Sequence, residues 1–333
     1  LKAGILGGGA WGTALANLLA GNGHDALLWT FETDCARSIN ADHINAHYLP
    51  GVTLHPALRA TADLADLASS DILLAVVPAQ HMRGILKALE PYAKDRLPIV
   101  LCAKGIEQAS LLMMTEVLAQ EIPQSVPAVL SGPSFAADVA IGLPTAVTLA
   151  CADEDTNNML AEAISAPSFR LYTSDDLIGA EVGGAVKNVL AIACGIAVGL
   201  EFGKSAHAAL IARGFAEMTR LGVALGAQAQ TLTGLCGLGD LILTCSSDMS
   251  RNMSCGLALG RGTPIAEIMD ARAQVTEGVS SAPAICALGQ RHGVELPICN
   301  AVADILSGKL DVGDAVAQLL NRPISAETAE PIQ

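Results

Sequence analysis

The sequence places several side chains in surroundings that suit chemistry on a small anionic molecule. Lys187 stands in Gly183-Gly184-Ala185-Val186-Lys187-Asn188-Val189-Leu190, among small and apolar residues at what reads as the start of a helix. Burial and a helix N-terminus both favour the neutral amine, a state that a lysine acid/base near neutral pH has to reach. The alternative is a lysine snorkelling from a buried helix to water. Asp240 and Thr244 follow in Gly237-Leu238-Gly239-Asp240-Leu241-Ile242-Leu243-Thr244. Four apart on a helix, they share a face and can point two hydrogen-bonding groups the same way. Asp240 as an N-terminal helix cap is the competing reading. Ser250-Arg251-Asn252 sets a guanidinium between two small polar groups, a combination suited to a phosphate, although an exposed surface arginine fits the tripeptide too. Lys104, in Cys102-Ala103-Lys104-Gly105, falls just past an apolar run, where open α/β sheets bind ligands.

A glycine turn, Gly7-Gly8-Gly9-Ala10-Trp11-Gly12, lies between an apolar strand and an amphipathic helix. Gly7 permits a tight exit from the strand, Gly9 lets backbone approach a pyrophosphate, and Gly12 lets strand and helix pack closely. The helix N-terminus then faces the anion. The second strand ends Trp29-Thr30-Phe31-Glu32, and Glu32 sits where a carboxylate can bind a ribose 2′-hydroxyl or simply be solvated. A 2′-phosphate prefers an arginine; Arg37 follows a turn or two later. The glycines at 237 and 239 follow no strand and are not a second turn of this kind. His43, His47 and His55 have no carboxylate or thiolate cluster beside them, so no metal site is expected.

The elements that must position these groups change character along the chain. Strand-like runs at Ala3–Leu6, Ala26–Thr30, Asp71–Val77, Pro98–Ala103, Ala128–Ser131, Thr145–Ala150 and Phe169–Tyr172 alternate with helical stretches at Thr13–Ala20, His81–Leu89 and Leu111–Gln120. That alternation predicts a parallel sheet with crossover helices. Beyond about Asp176 the remainder is Ala- and Leu-rich with helical spacing. The fold class is therefore α/β, with a sheet domain over 1–178 and a predominantly α-helical domain over 179–333.

Composition excludes several functions. With 333 residues, 51% hydrophobic and 16% charged, the chain can bury two cores. A net charge of −14 argues against nucleic acid or an anionic membrane as partner, so an anionic substrate needs a locally positive pocket. The nine cysteines include no Cys-x-x-Cys pair and suit a reducing cytosol. The apolar run Val189 to Leu200 is shorter than the ~20 residues of a membrane span and reads as a buried helix. Leu1 is not an initiator, and at least one residue is expected before it; the opening run does not read as a signal peptide.

Taken in order, the glycine turn with Ala10-Trp11-Gly12, Ala103-Lys104-Gly105, Ser131-Gly132-Pro133-Ser134-Phe135-Ala136, Gly184-Ala185-Val186-Lys187-Asn188, Gly237-Leu238-Gly239-Asp240 and Ser250-Arg251-Asn252 form a recognisable series. From about Gly4 to about Arg322 the chain resembles bacterial NAD(P)-dependent glycerol-3-phosphate dehydrogenase. The resemblance implies a Rossmann-like N-terminal domain, a helical C-terminal domain and a cytoplasmic homodimer. It also implies reduction of dihydroxyacetone phosphate to sn-glycerol 3-phosphate, with NADPH or NADH, for phospholipid synthesis. By motif, Lys187 is the proton donor and acceptor, with Lys104 and Asp240 at the reacting centre. Lys104, Gly132, Ser134, Lys187, Asn188, Asp240, Thr244, Ser250, Arg251 and Asn252 are the implied substrate contacts. Gly7, Gly9, Ala10, Trp11, Gly12, Phe31, Lys104, Ala136, Arg251, Val275 and Glu277 are the implied cofactor contacts. Where the family usually offers a basic or imidazole side chain at the end of the second strand, this chain has Phe31, which puts NADPH preference in doubt. A related two-domain hydroxy-acid dehydrogenase shares the glycine turn and a Lys-Asn pair but gives no reason for Asp240 or the phosphate grip. A catalytically silent dinucleotide sensor gives no reason for Lys104, Lys187 and Asp240.

Overall fold

The computed structural model describes residues 1–271 and 276–323. It divides into two compact units, one of Leu1–Lys104 with Leu112–Glu181, the other of Gly105–Leu111 with Val182 onward.

The first unit is built on an eight-stranded sheet. Its strands are β1 (Lys2–Leu6), β2 (Asp25–Trp29), β5 (Arg59–Thr61), β6 (Ile72–Ala75), β7 (Pro98–Leu101), β8 (Val126–Ser131), β9 (Thr145–Ala150) and β10 (Phe169–Ser174), in the spatial order 10-9-8-7-6-1-2-5. A separate hairpin pairs β3 (Ile44–Asn45) with β4 (Leu49–Thr53). The connecting helices are α1 (Ala10–Gly21), α2 (Thr33–Asp42), α3 (Ala79–Leu89), α4 (Met114–Glu121), α5 (Ala136–Ala140) and α6 (Glu154–Ile164). Every residue of β6 and β7 is buried, as expected for parallel strands covered on both faces. Ile5, Leu28, Ile72, Leu74, Val100, Leu130 and Leu149 make the core with Leu15 and Leu19 of α1.

Each strand expected from the sequence is present, with ends shifted by a few residues. The sheet is parallel as expected from the sequence, with one antiparallel pair: β8 and β9, Leu130 facing Leu149. After β8 the chain turns back on the same side of the sheet through the short α5, so no crossover is made. That turn keeps residues 132–136 at the carboxyl end of β8. The hairpin strands and β5 carry no clear alternation, being two to five residues long with Pro50 and Gly51 inside β4.

The second unit is helical among the described residues. Its elements are α7 (Leu177–Gly199), which begins in the first unit, then α8 (Gly203–Ala224), α9 (Ala229–Thr233), α10 (Asp240–Ser246), α11 (Arg251–Gly260), α12 (Ile265–Asp270), α13 (Glu277–Arg291), α14 (Pro297–Leu306) and α15 (Val312–Leu320). A π turn at Leu235–Gly239 leads directly into α10. By length and composition α7 could cross a bilayer, yet 83% of its most apolar stretch is buried inside the protein, the mark of a core helix. Gln108 ties the Gly105–Leu111 segment to this unit, its side-chain amide donating to the Ser280 carbonyl at 2.6 Å.

Candidate active site

The site residues fall into two clusters, one in each unit. In the first, β1 ends at Gly7, whose φ of +120° is a conformation that favours glycine. A Cβ on Gly12 would overlap the Gly7 carbonyl oxygen, so α1 starts this close to the strand only with glycine there. Gly9 caps α1 without a side-chain hydrogen bond, and nothing lies within 4 Å of where its Cβ would be. No side chain at the cap satisfies the first N–H groups of this twelve-residue helix, the arrangement that suits a pyrophosphate. Beside them the buried Trp11 Nε1 has no hydrogen-bond partner among the described residues. Ala10 opens the helix. These features fit a dinucleotide.

The turn is fastened by a residue that sequence reasoning missed. Asn45, buried in the hairpin, donates through Nδ2 to the Gly8 carbonyl and to Thr13 Oγ1, both at 2.8 Å. Nothing in the local pattern marks it, because the contact spans more than thirty residues of chain. At the end of β2, Phe31 is 81% exposed, and Glu32 accepts a hydrogen bond from the Tyr48 hydroxyl at 2.8 Å. Arg37 pairs with Asp34 at 3.0 Å.

Lys104, Gly132, Ser134 and Ala136 come together past the carboxyl ends of β7 and β8. Lys104 Nζ donates to the Gly132 carbonyl at 3.0 Å, and the Ser134 hydroxyl donates to the same oxygen at 3.1 Å. Ala136 opens α5. The carboxyl edge of the sheet therefore carries the glycine turn and one ammonium together.

In the second unit the central feature is a buried ion pair. Lys187 is 6% exposed and Asp240 1%, and Nζ donates to Asp240 Oδ1 at 2.6 Å and to Thr244 Oγ1 at 2.8 Å. The Thr244 hydroxyl donates in turn to Asp240 Oδ1 at 3.2 Å, which turns its lone pair to the ammonium. The carboxylate balances a charge that burial alone would penalise. Two sequence expectations are corrected here. Lys187 does not lie at a helix start: α7 begins at Leu177, so the positive helix end does not act on it. Gly183 lies inside the helix although glycine disfavours helix interiors, because it serves a contact: its Cβ would overlap the Cys236 carbonyl of the π turn. Asp240, for its part, is not the cap of α10, a place taken by Gly239. The i, i+4 spacing of Asp240 and Thr244 does put both on the face that meets Lys187.

Next to Lys187, Asn188 accepts from Asn252 Nδ2 at 2.9 Å, and Asn252 Oδ1 accepts from the Gly278 N–H at 2.9 Å. Ser250 is the N-cap of α11, its hydroxyl accepting from the Met253 N–H at 3.2 Å. Arg251 is the first residue of that helix and is exposed. Guanidinium and helix N-terminus thus present positive charge together, which suits a phosphate. Glu277 opens α13, while Val275 lies outside the described residues. No group of three or more potential metal ligands occurs among the described residues.

Two buried carboxylates serve as helix caps. Glu181 accepts from the Thr115 N–H at 2.9 Å and the Thr115 hydroxyl at 2.6 Å, and burial pushes its carboxyl up to about 7. Glu217 accepts from the N–H groups of Ile298 and Cys299 at the start of α14, and burial raises it as well.

Comparison with known proteins matches both halves of the chain to one family. The description "NAD-dependent glycerol-3-phosphate dehydrogenase N-terminus" matches residues 2–157, and the corresponding C-terminus matches residues 176–317. Glycerol-3-phosphate dehydrogenase [NAD(P)+] of Maricaulis maris is 63% identical over 326 residues, covering 98% of each chain. The crystal structure of glycerol-3-phosphate dehydrogenase from Coxiella burnetii has a TM-score of 0.93 at 42% identity, covering 96% of this chain and 99% of that one. A D-mandelate dehydrogenase, at TM-score 0.60 and 13% identity over 93% of this chain and 98% of that one, shares the fold alone.

Proposed function

Because the chain belongs to the NAD-dependent glycerol-3-phosphate dehydrogenase family, we propose that it reduces dihydroxyacetone phosphate reversibly to sn-glycerol 3-phosphate, for phospholipid synthesis. The observation that carries this reading is the buried Lys187–Asp240–Thr244 cluster. Fastened by Asn45, the Gly7–Gly12 turn would hold the pyrophosphate of the cofactor at the N-terminus of α1. Phe31 and Glu32 lie at its adenosine end, with Ala10, Trp11, Lys104, Ala136, Arg251, Val275 and Glu277 as further cofactor contacts. When bound, the nicotinamide supplies the hydride.

The chain's own groups do the rest. Reduction of the ketone would leave negative charge on its carbonyl oxygen, which the chain's own groups must meet. Lys187 gives that oxygen a proton from Nζ, and in the reverse direction takes it back, a role worth roughly 10²- to 10⁴-fold in rate. Asp240 and Thr244 fix the position of Nζ and favour the charged, proton-bearing form before transfer. Lys104 stabilises the same oxygen electrostatically. Arg251 and the first turn of α11 grip the phosphate, converting remote binding energy into orientation at the ketone. Gly132, Ser134, Asn188, Ser250 and Asn252 complete the substrate contacts.

Both NADPH and NADH serve as cofactor, and Phe31 lets NADH compete better than is usual in the family. The free thiols suit a cytoplasmic protein, and we read the assembly as a homodimer. The test follows oxidation of NADPH and of NADH with dihydroxyacetone phosphate, using unphosphorylated dihydroxyacetone as control. Fast turnover of the phosphorylated ketone alone is expected. Equal activity on both ketones removes the phosphate argument, and a large NADPH preference overturns the statement on cofactors.

A further inference from the structure

The short hairpin β3–β4 touches both ends of the cofactor cradle. Asn45 binds the glycine turn at Gly8 and Thr13, and three residues later Tyr48 reaches Glu32 at the end of β2. Tyr48 is itself fixed on three sides. Its N–H donates to Asn45 Oδ1 at 3.3 Å, the His47 ring meets its ring edge-on at 4.4 Å, and its hydroxyl donates to Glu32 Oε1 at 2.8 Å. The Glu32 backbone is held as well, its carbonyl accepting from the buried Thr30 hydroxyl at 2.7 Å. An exposed glutamate ordinarily samples many rotamers, and here both its backbone and one carboxylate oxygen are tied.

What that carboxylate meets depends on the cofactor. A carboxylate at the end of the second strand accepts from a ribose 2′-hydroxyl and repels a 2′-phosphate, which is received by arginine instead. The nearby guanidinium, Arg37, is paired with Asp34 on its own helix.

We propose that Tyr48 is a positioning residue for cofactor choice, holding the Glu32 carboxylate where it accepts from the ribose diol of NADH and opposes the 2′-phosphate of NADPH. This rests on the reading of the chain as an NAD(P)-dependent dehydrogenase. The hydrogen bond occupies Oε1 and leaves Oε2 to the ribose. Consistent with a persistent bond, the Tyr48 phenol is pushed up to about 12, first by its hydrogen bond to Glu32 and then by burial.

The experiment compares kcat/KM for NADH with kcat/KM for NADPH in wild type, Tyr48→Phe, Glu32→Gln and the double variant. Tyr48→Phe keeps the ring and its contact with His47 and loses only the hydroxyl. It is expected to lower the NADH-to-NADPH ratio about 3- to 10-fold, the size of one charge-assisted hydrogen bond at a partly exposed site. Glu32→Gln, which removes the charge, is expected to lower the ratio at least as far and to raise kcat/KM for NADPH. In the Glu32→Gln background the Tyr48 change is expected to move the ratio less than twofold, because there is no longer a charge to position. A residue that only supports the fold would lower both efficiencies together and leave the ratio alone. A ratio within twofold of wild type in Tyr48→Phe, or an equal effect of that change in both backgrounds, overturns the proposal. Absence of any turnover by the wild-type enzyme with either cofactor would instead overturn the dehydrogenase reading.

Discussion

Removing the Lys187 ammonium tests the site and the fold with one change. In Lys187→Met the side chain keeps most of its length and apolar stem but no longer neutralises Asp240, which is 1% exposed. Asp240 Oδ1 then loses its 2.6 Å partner and keeps the longer bond from Thr244. Breaking a buried pair from one side costs about 3–5 kcal/mol, because a charge is left without its counterion. For a unit of this size that is a fall in Tm of about 6–20 °C. Turnover should fall by about 10²- to 10⁴-fold or more, since the proton donor is gone.

Those two losses are separable, and the separation is what makes the experiment decisive. Replacing both partners, as Lys187→Met with Asp240→Leu, removes the carboxylate together with its ammonium and leaves an apolar contact between α7 and α10. Buried pairs exchanged as a whole for apolar groups are commonly neutral or stabilising, so Tm should return most of the way to wild type. Activity should not return at all. Differential scanning calorimetry and steady-state rates on the two single variants and the double variant provide the cycle. A double variant no more stable than Lys187→Met would refute the claim that an uncompensated charge is the cost. Near-normal turnover in Lys187→Met would remove Lys187 from the chemistry.

Other expectations are more local. Arg251→Ala should raise KM for dihydroxyacetone phosphate at least tenfold and weaken cofactor binding by a smaller factor in fluorescence titration, since Arg251 is also read as a cofactor contact; an unchanged KM contradicts the phosphate grip. Asn45→Ala, which removes its bonds to the Gly8 carbonyl, Thr13 and the Tyr48 N–H, should weaken NADH and NADPH both by several-fold, a loss of overall affinity that Tyr48→Phe should not produce. Gly183→Ala should displace α7 from the π turn at Cys236 and reduce kcat more than it changes substrate KM; unchanged kinetics would show that the helix contact tolerates a methyl group. Glu181, raised by burial from 4.5 to about 7, binds its proton more tightly folded than unfolded, so its contribution is most favourable below 4.5 and is lost as pH rises towards 7. The change is on the order of 3 kcal/mol, and chemical denaturation between pH 5 and 8 should show a flatter profile for Glu181→Gln than for wild type; parallel profiles contradict it.

How much of this was legible in the sequence depended on whether a feature repeats along the chain or closes across it. The central strands could be read because they are continuous apolar runs buried on both faces, and the glycine turn because its glycines recur at a fixed spacing within six consecutive residues, two of them, Gly7 and Gly12, packed against each other. Helix α2 could not: Thr33–Asp42 buries only Ala36 and Ile39, too few apolar positions to show a period. The hairpin was equally silent, since a two-residue strand has no alternation to detect. Asn45 and Tyr48 act across 37 and 16 residues of chain, and their partners are a backbone carbonyl and a side chain already given another reading.

The catalytic cluster lies between these cases. Spacing alone put Asp240 and Thr244 on one face, and the apolar surroundings of Lys187 announced its burial. What spacing could not supply was the 53-residue closure that brings carboxylate to ammonium. That closure depends on Gly183, a residue that is costly inside a helix by roughly 1 kcal/mol relative to alanine. The cost is accepted because any larger residue would hold α7 away from the Cys236 carbonyl, and Asp240 follows that π turn immediately. The local propensity and the tertiary contact oppose each other at this one position, and the contact wins because it sets the distance between Lys187 and its counterion. A residue that breaks the helical pattern beside a buried charge is therefore informative: the conflict itself marks where the fold gives up local stability to place a proton donor.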